Sequence, residues 1–231
     1  MKCLAIETAG FAGSVALDNQ GEINQVSFEK PRQQTQAILP AIDELLNKQH
    51  CRLNDLDAIA LSIGPGSFTG LRVGVSVVQS IAWAQQLPVI PISTLRIMAQ
   101  TAYRSYGGSR FIVGLNAYMH EFYCGRYQLD EQTGIVNALA KDVLLRPDWL
   151  YEKLGDDKLD WLVGDAWQVY SKQWQSGWAC RLDRAINVMP QAYDLLTIAK
   201  AAYTVEQRCS AEQVTPVYLR DSSAWRTASD H

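Results

Sequence analysis

Two short stretches hold residue types that could do chemistry. Residues 64–70 read Gly-Pro-Gly-Ser-Phe-Thr-Gly, directly after the strand pattern 57–63 and directly before a long apolar helix pattern. A strand that breaks into glycines and then starts a helix offers unpaired backbone N–H groups, and glycines let a phosphate approach them closely. Gly64, Gly66 and Ser67 are therefore candidates for a phosphate or nucleotide cradle. The same pattern also suits a tight strand-to-helix turn that needs glycine for its own sake. It is not a Walker loop, since no Gly-Lys-Ser/Thr ending follows, and it is not Gly-x-Gly-x-x-Gly. The second stretch is the turn after the first strand, with Glu7, Thr8 and Ser14. A carboxylate at a strand end, facing a turn with glycines, is a candidate Mg²⁺ ligand beside a phosphate. The alternative is a solvated side chain.

Other chemistry finds few residues. His50, His120 and His231 are scattered, so no pair at metal-binding spacing exists on a helix. The cysteines Cys3, Cys51, Cys124, Cys180 and Cys209 are odd in number and widely spaced, which excludes a Cys-x-x-Cys site and argues for free thiols in a reducing compartment. No Gly-x-Ser-x-Gly elbow occurs. His120 beside Glu121 is one isolated pair. No catalytic and no metal residue is assigned. Trp149, Trp161, Trp167, Trp174, Trp178 and Trp225 lie in the second half among Glu152, Asp156, Asp157, Asp160 and Asp165. Acidic surroundings favour core or protein contact over base stacking.

The elements that must position these residues follow from periodicity. Residues 3–6, 14–17 and 23–29 read as strands of a meander, with Asn19-Gln20-Gly21 as a hairpin turn. Ile38, Leu39, Ile42, Leu45 and Leu46 mark one face of a helix, and Thr35 is a candidate cap. A strand over 57–63 leads into the glycine loop, and a helix follows to about residue 86. A strand over 89–92 precedes a helix capped by Ser93 that ends near Gly107-Gly108. Strands at 111–115 and 121–129, a helix at 147–154, a strand at 161–163 and a helix at 192–205 complete the reading, with a polar, frayed tail from 221. Two strands again precede helices after the double glycine, which echoes the opening. The expected division is 1–106 and 107–231, with the C-terminal segment able to pack back on the first lobe.

The helix after the glycine loop is apolar nearly all round. Leu71, Val75, Val78 and Ala82 form one stripe, and Gly70, Val73, Gly74, Val77 and Ile81 a second. One stripe can face the sheet; the other calls for a second domain or another chain. Arg72, on the narrow polar strip, is a candidate interface anchor.

Composition sets the outer limits. The chain has 231 residues, 48% hydrophobic and 19% charged, enough to bury a core. Twenty-one basic against 24 acidic residues give a net charge of −3, a poor basis for gripping nucleic acid unaided. The apolar run 3–6 is stopped by Glu7, too short for an export signal, and no window approaches a membrane span. A soluble, cytoplasmic protein is expected.

The segments CLAIETA and GSVAL, RQQTQAILP, GPGSFTGLRVGVSVVQSIAWA, PVIPISTL and the late PVYLR with a following AW resemble the TsaB (YeaZ) family in order and spacing, across nearly the whole chain. The resemblance implies an α/β, actin-like (ASKHA, ribonuclease H-like) fold of two lobes, each a mixed sheet flanked by helices. It implies a cytoplasmic role in placing N6-threonylcarbamoyladenosine 3′ of the anticodon in tRNAs reading ANN codons. The family is held to be a degenerate paralogue of the catalytic subunit TsaD and to pair with it, or with itself, through its first two helices. The ATPase TsaE joins them, and tRNA is met only through the complex. By that resemblance Gln34, Thr35, Leu39, Leu46, Gly70, Leu71, Arg72, Gly74, Val75 and Val78 are interface candidates. Glu7, Thr8, Gly64, Gly66 and Ser67 are remnants of nucleotide loops, with no intrinsic cofactor and ATP/ADP and Mg²⁺ only in the complex. The sequence has Gln34-Thr35-Gln36 where the family shows His-Thr-Gln, Glu7 in place of an aspartate, and Asn116-Ala117-Tyr118 in place of Asp-Ala-Arg. The rival readings are a stand-alone actin-fold ATPase or kinase and an M22-type peptidase.

Overall fold

The computed structural model describes residues 1–28, 34–149, 161–174, 182, 185–203 and 208–220. The chain opens with three antiparallel strands, β1 (Lys2–Glu7), β2 (Ser14–Asn19) and β3 (Glu22–Ser27). Helix α1 (Gln34–Lys48) and a 3-10 turn (Leu53–Asp55) lead to β4 (Ala58–Ser62), which lies parallel to β1. Helix α2 (Phe68–Gln85), β5 (Val89–Ile92) and α3 (Thr94–Tyr106) follow. These strands form a five-stranded sheet in the order β3-β2-β1-β4-β5.

A second sheet begins after Gly107-Gly108. Strands β6 (Arg110–Tyr118), β7 (Glu121–Asp130), β8 (Ile135–Ala138), β10 (Trp161–Val163) and β11 (Ala185–Ile186) run in the order β11-β10-β6-β7-β8, and β9 (Val143–Leu145) pairs with β7. A one-turn helix, α4 (Ala166–Val169), and the final helix α5 (Ala192–Ala202) complete the regular structure.

Alternation along β1 separates two cores. Leu4 and Ile6 face α1 and α2 with Val15, Leu17, Ile59 and Leu61, while Cys3 and Ala5 face α5 with Ala16, Ala58 and Ala60. The small residues on that second face let α5 sit close. Helix α3 turns Ile97 to α5 and Leu95, Met98, Ala99 and Ala102 to the second sheet. On the far side of that sheet Phe122 packs edge-on to Trp167 and Trp174. Five layers result: α1 and α2, the first sheet, α5 with α3, the second sheet, and the Trp167–Trp174 layer. Each fully buried Leu, Ile or Phe in them contributes roughly 1.5–3 kcal/mol. The chain thus exchanges helices: α5, late in sequence, covers the first sheet, and α3, early in sequence, covers the second.

Several expectations from periodicity need correction. Thr35 lies inside the first turn of α1 and does not cap it, and Leu39 is 56% exposed, off the buried face of Ile38, Ile42 and Leu45. The stretch expected as a helix at 147–154 shows a 3-10 turn at Pro147–Trp149, with the remainder outside the described residues. Strands β8, β9 and β11 were not expected from periodicity. The tail from 221 and Trp178 and Trp225 also lie outside the described residues.

Candidate functional site

The turn after β1 and the loop after β4 meet, as adjacent parallel strands require. Ser67 N–H donates to the Ala9 carbonyl at 2.8 Å, and Thr8 N–H donates to Ser62 Oγ at 3.3 Å. Ser67 caps α2, accepting from Gly70 N–H at 3.2 Å. A Cβ on Gly66 would collide with the Ala9 carbonyl, and one on Gly70 with the Thr8 carbonyl. These glycines are needed because the chain's own backbone passes over the start of α2. Gly64, with φ +111, has the Val217 carbonyl in the place of a side chain.

Glu7 is fully buried. Its Oε1 accepts from Ala9 N–H at 2.7 Å and Gly10 N–H at 2.9 Å, and from the Ser62 hydroxyl at 3.4 Å. Oε2 is buried with no partner among the described residues, as is Thr8 Oγ1. Burial pushes the Glu7 carboxyl up to about 8, against the opposing pull of the Gly10 and Ala9 N–H groups and Ser62. Near neutrality it is mostly protonated. Oε1 is thus committed to the carboxyl's own turn and to Ser62. Residues 8–9 pass against Gly66 and Gly70, while Ser67, Phe68 and Thr69 at the start of α2 are exposed. The close approach inferred for Gly64 and Gly66 is real, and its beneficiary is the protein backbone.

The first two helices sort the interface candidates. Leu46, Val75 and Val78 are buried in the chain's own first core, Leu71 is buried beside Gly64, and Gly70 and Gly74 lie buried against residue 8. Those six positions face inward, because both helices must cover the sheet before they can serve a partner. Thr35, Leu39 and Arg72 are exposed, and Gln34 opens α1. Val73, Val77 and Ile81 are half-buried at the rim. Reading by stripes missed three large exposed side chains: Phe68 (51% exposed), Trp83 (71% exposed) and Tyr218. Arg72 lies 4.0 Å over the Phe68 ring, and Tyr218 stacks on the same ring at 5.4 Å. The outward angle of Trp83 on α2 was the available signal for it; Tyr218, distant in sequence, gave none.

A polar cluster lies apart from these loops. Asp142 accepts from Ser93, the α3 cap, at 2.5 Å and from the Tyr127 hydroxyl. Burial raises Asp142 against those two hydrogen bonds and pushes Tyr127 well up. A cavity of about 360 Å³ adjoins it, lined by Arg96 and residues 138–142. Arg96 is engaged by the Val136 carbonyl at 2.8 Å and Asn137 Oδ1 at 2.7 Å. The cluster ties the 139–142 loop to α3. Glu121, beside His120, holds Arg220 at 2.7 Å. Among the described residues no three His, Cys, Asp or Glu side chains converge on a metal position. No helix there is long and apolar enough to cross a membrane.

Comparisons with known proteins place this arrangement. The family model described as TsaD, tRNA N6-adenosine threonylcarbamoyltransferase, matches residues 29–228. The Escherichia coli tRNA threonylcarbamoyladenosine biosynthesis protein TsaB is 37% identical over 227 residues, covering 98% of this chain and 97% of that protein. The Haemophilus influenzae TsaB is 32% identical over 96% of this chain and 95% of its own length. A solved Pseudomonas aeruginosa structure named YeaZ superposes with a TM-score of 0.82 at 33% identity, covering 94% of this chain and 99% of that one. By contrast, the Persephonella marina tRNA N6-adenosine threonylcarbamoyltransferase matches over 61 residues, 26% of this chain and 18% of that protein. Likeness over the full length, an actin-like fold of two lobes and the loop sequence agree: the chain belongs to the TsaB (YeaZ) family.

Proposed function

We propose that this chain is a non-catalytic scaffold subunit in the making of N6-threonylcarbamoyladenosine on tRNA. In this reading it docks on a TsaD-type catalytic paralogue through the outer face of α1 and α2. The observation that carries the reading is a contrast within the first lobe. The glycines of the loop after β4 pack against the backbone of residues 8–9, and Glu7 is buried on its own turn, while Leu39, Phe68, Arg72 and Trp83 stand exposed on the first two helices. Large exposed side chains grouped on one face mark a protein contact. Docking acts by favouring one conformation of the catalytic partner. A TsaE-type ATPase joins the pair, and any ATP, ADP or Mg²⁺ enters with those subunits. Alone, the chain pairs with itself through the same face. With a net charge of −3 it meets tRNA only through the complex, in the cytoplasm.

The test is a reconstitution. A purified TsaD-type transferase, a TsaE-type ATPase, the synthase that makes threonylcarbamoyl-AMP, substrates and unmodified tRNA are combined with and without this chain. Modified nucleoside, measured by mass spectrometry, is expected only with the chain present; equal yields without it defeat the proposal. The stand-alone ATPase is checked by calorimetric titration of the isolated chain with Mg-ATP, where tight binding with turnover would restore it. The peptidase reading lacks support in converging metal donors or a nucleophile among the described residues.

A further inference from the structure

Residues 214–220 run from α2 to the second lobe, anchored at Val214, Val217, Tyr218 and Arg220. Val214 is buried beside α2, where Gln79 Nε2 donates to its carbonyl at 2.9 Å. Val217 N–H donates to the Ile63 carbonyl at 2.7 Å, just beyond β4. Tyr218 then turns outward, 48% exposed, onto the Phe68 ring, and its hydroxyl accepts from Arg72 Nε at 3.3 Å. Two residues on, about 7 Å along extended chain, Arg220 is buried and grips the turn between β6 and β7. Its Nη2 donates to the Ala117 carbonyl at 3.0 Å, the Tyr118 carbonyl at 3.1 Å and Glu121 Oε2 at 2.7 Å.

The gripped turn has an unusual backbone. Tyr118, Met119 and His120 carry φ values of +60°, +54° and +58°, three successive residues in a conformation that side chains other than glycine rarely adopt. Such a run persists only where its surroundings impose it. From within the second lobe, Asn116 Oδ1 accepts Tyr118 N–H at 2.9 Å and the Tyr170 hydroxyl at 2.8 Å, and Asp165 Oδ1 accepts Asn116 N–H at 2.8 Å. Arg220 comes from outside that lobe, two residues from a side chain in the exposed stack on α2.

We propose that residues 214–220 form a coupling strap. Tyr218 makes the strap part of the docking face, and Arg220 is the positioning residue that ties the state of that face to the 116–121 turn of the other lobe. The inference rests on the docking reading above for its occupant, the helices of a TsaD-type partner. A partner that covers Phe68 and Arg72 must repack Tyr218, since the three side chains form one stack. The displacement cannot be lost in a slack segment, because Val217 and Arg220 are both held. Coupling of this kind is reciprocal: whatever fixes the turn also changes the docking face.

Hydrogen exchange read by mass spectrometry tests the strap in the isolated chain first. Phe68→Ala is expected to speed exchange across 116–121 by about threefold or more while α5 keeps its protection. Arg220→Gln is expected to speed exchange in the first turns of α2, and Arg220→Lys, which keeps the charge without the fork, to fall between. An unchanged 116–121 turn in Phe68→Ala, or an unchanged α2 in Arg220→Gln, overturns the strap. A second arm adds the TsaD-type partner. In the wild type, binding should protect α2 and alter exchange at 116–121; in Arg220→Gln the α2 protection should remain and the response of the turn vanish. A response that survives in Arg220→Gln overturns the coupling. A partner that protects no part of α2 overturns the docking reading instead, and the isolated-chain arm still decides the strap.

Discussion

Glu7 carries the most informative chemistry of any single residue here. Its carboxyl sits fully buried at the end of β1, held by two N–H groups of its own turn, with its folded value near 8 against an ordinary 4.5. The folded protein therefore keeps a proton between about pH 4.5 and 8 that the unfolded chain gives up. That contribution to stability is complete below about 4.5 and is lost as pH rises through 8. Glu7→Gln keeps an acceptor for the two N–H groups and cannot titrate. Thermal melts should show the wild-type midpoint falling from about pH 5 to 8.5, by about 2–4 °C for each kcal/mol lost, and a flatter profile for the variant. A wild-type midpoint that rises over that range would mean that Glu7 is ionised in the fold. Buried thiols give no rival chemistry: Cys3 and Cys124 are pushed up to about 12 by desolvation.

At the scale of the element, α2 shows how one helix serves two neighbours. Its inward stripe is a core stripe, and its glycines admit the turn after β1. Gly70→Ala sets a methyl against the Thr8 carbonyl, which is backbone and cannot swing away, whereas Gly74→Ala meets the Thr8 hydroxyl, which can rotate. Chemical denaturation should give a loss of about 2–3 kcal/mol for Gly70→Ala and a smaller loss for Gly74→Ala. Equal losses would indicate that the turn after β1 yields as readily as a side chain. The helical period of α2 was plain in the sequence, and so was its excess of apolar faces. Which stripe faced inward was not, because Leu71–Val75–Val78 and Val73–Val77–Ile81 are equally apolar and the sheet's position decides between them. Trp167 is the corresponding lesson in the second lobe: its indole N–H donates to the Val163 carbonyl at 2.9 Å within the aromatic layer. Trp167→Ala should cost about 3–5 kcal/mol by the same measurement.

For the whole molecule, the two lobes are tied where α3 and α5 cross. Asp194, 1% exposed, accepts from Thr101 Oγ1 at 2.8 Å and from Arg104 at 2.7 and 2.9 Å. Ser14 Oγ receives Ala192 N–H at 2.9 Å, fastening the start of α5 to β2. Arg104→Ala strands a buried carboxylate, and urea unfolding should record a loss of about 2 kcal/mol, moderated because water reaches the half-exposed guanidinium. A loss near zero would mean that Thr101 and solvent suffice. Arg72, exposed and outside every core, allows a cleaner question about assembly. Arg72→Glu should leave the melting midpoint within about 2 °C of wild type and abolish pairing in size-exclusion chromatography. A profile matching the wild type would remove α2 from the interface.

The sequence by itself determined the strand and helix order through residue 130, the glycine loop and the family. These are local or pairwise properties: period, turn chemistry and residue type are written along the chain. Only the tertiary structure decided what the glycines face, that Glu7 is buried and mostly neutral, and that Leu46, Leu71, Val75 and Val78 belong to the chain's own core. It also brought Tyr218 onto Phe68 and Arg220 onto the 117–121 turn, across separations of about 100 residues or more. Such pairings depend on which face of each sheet a helix covers. Here α5 and α3 cross between the lobes, and no window of sequence short enough to show a period contains both ends of that exchange.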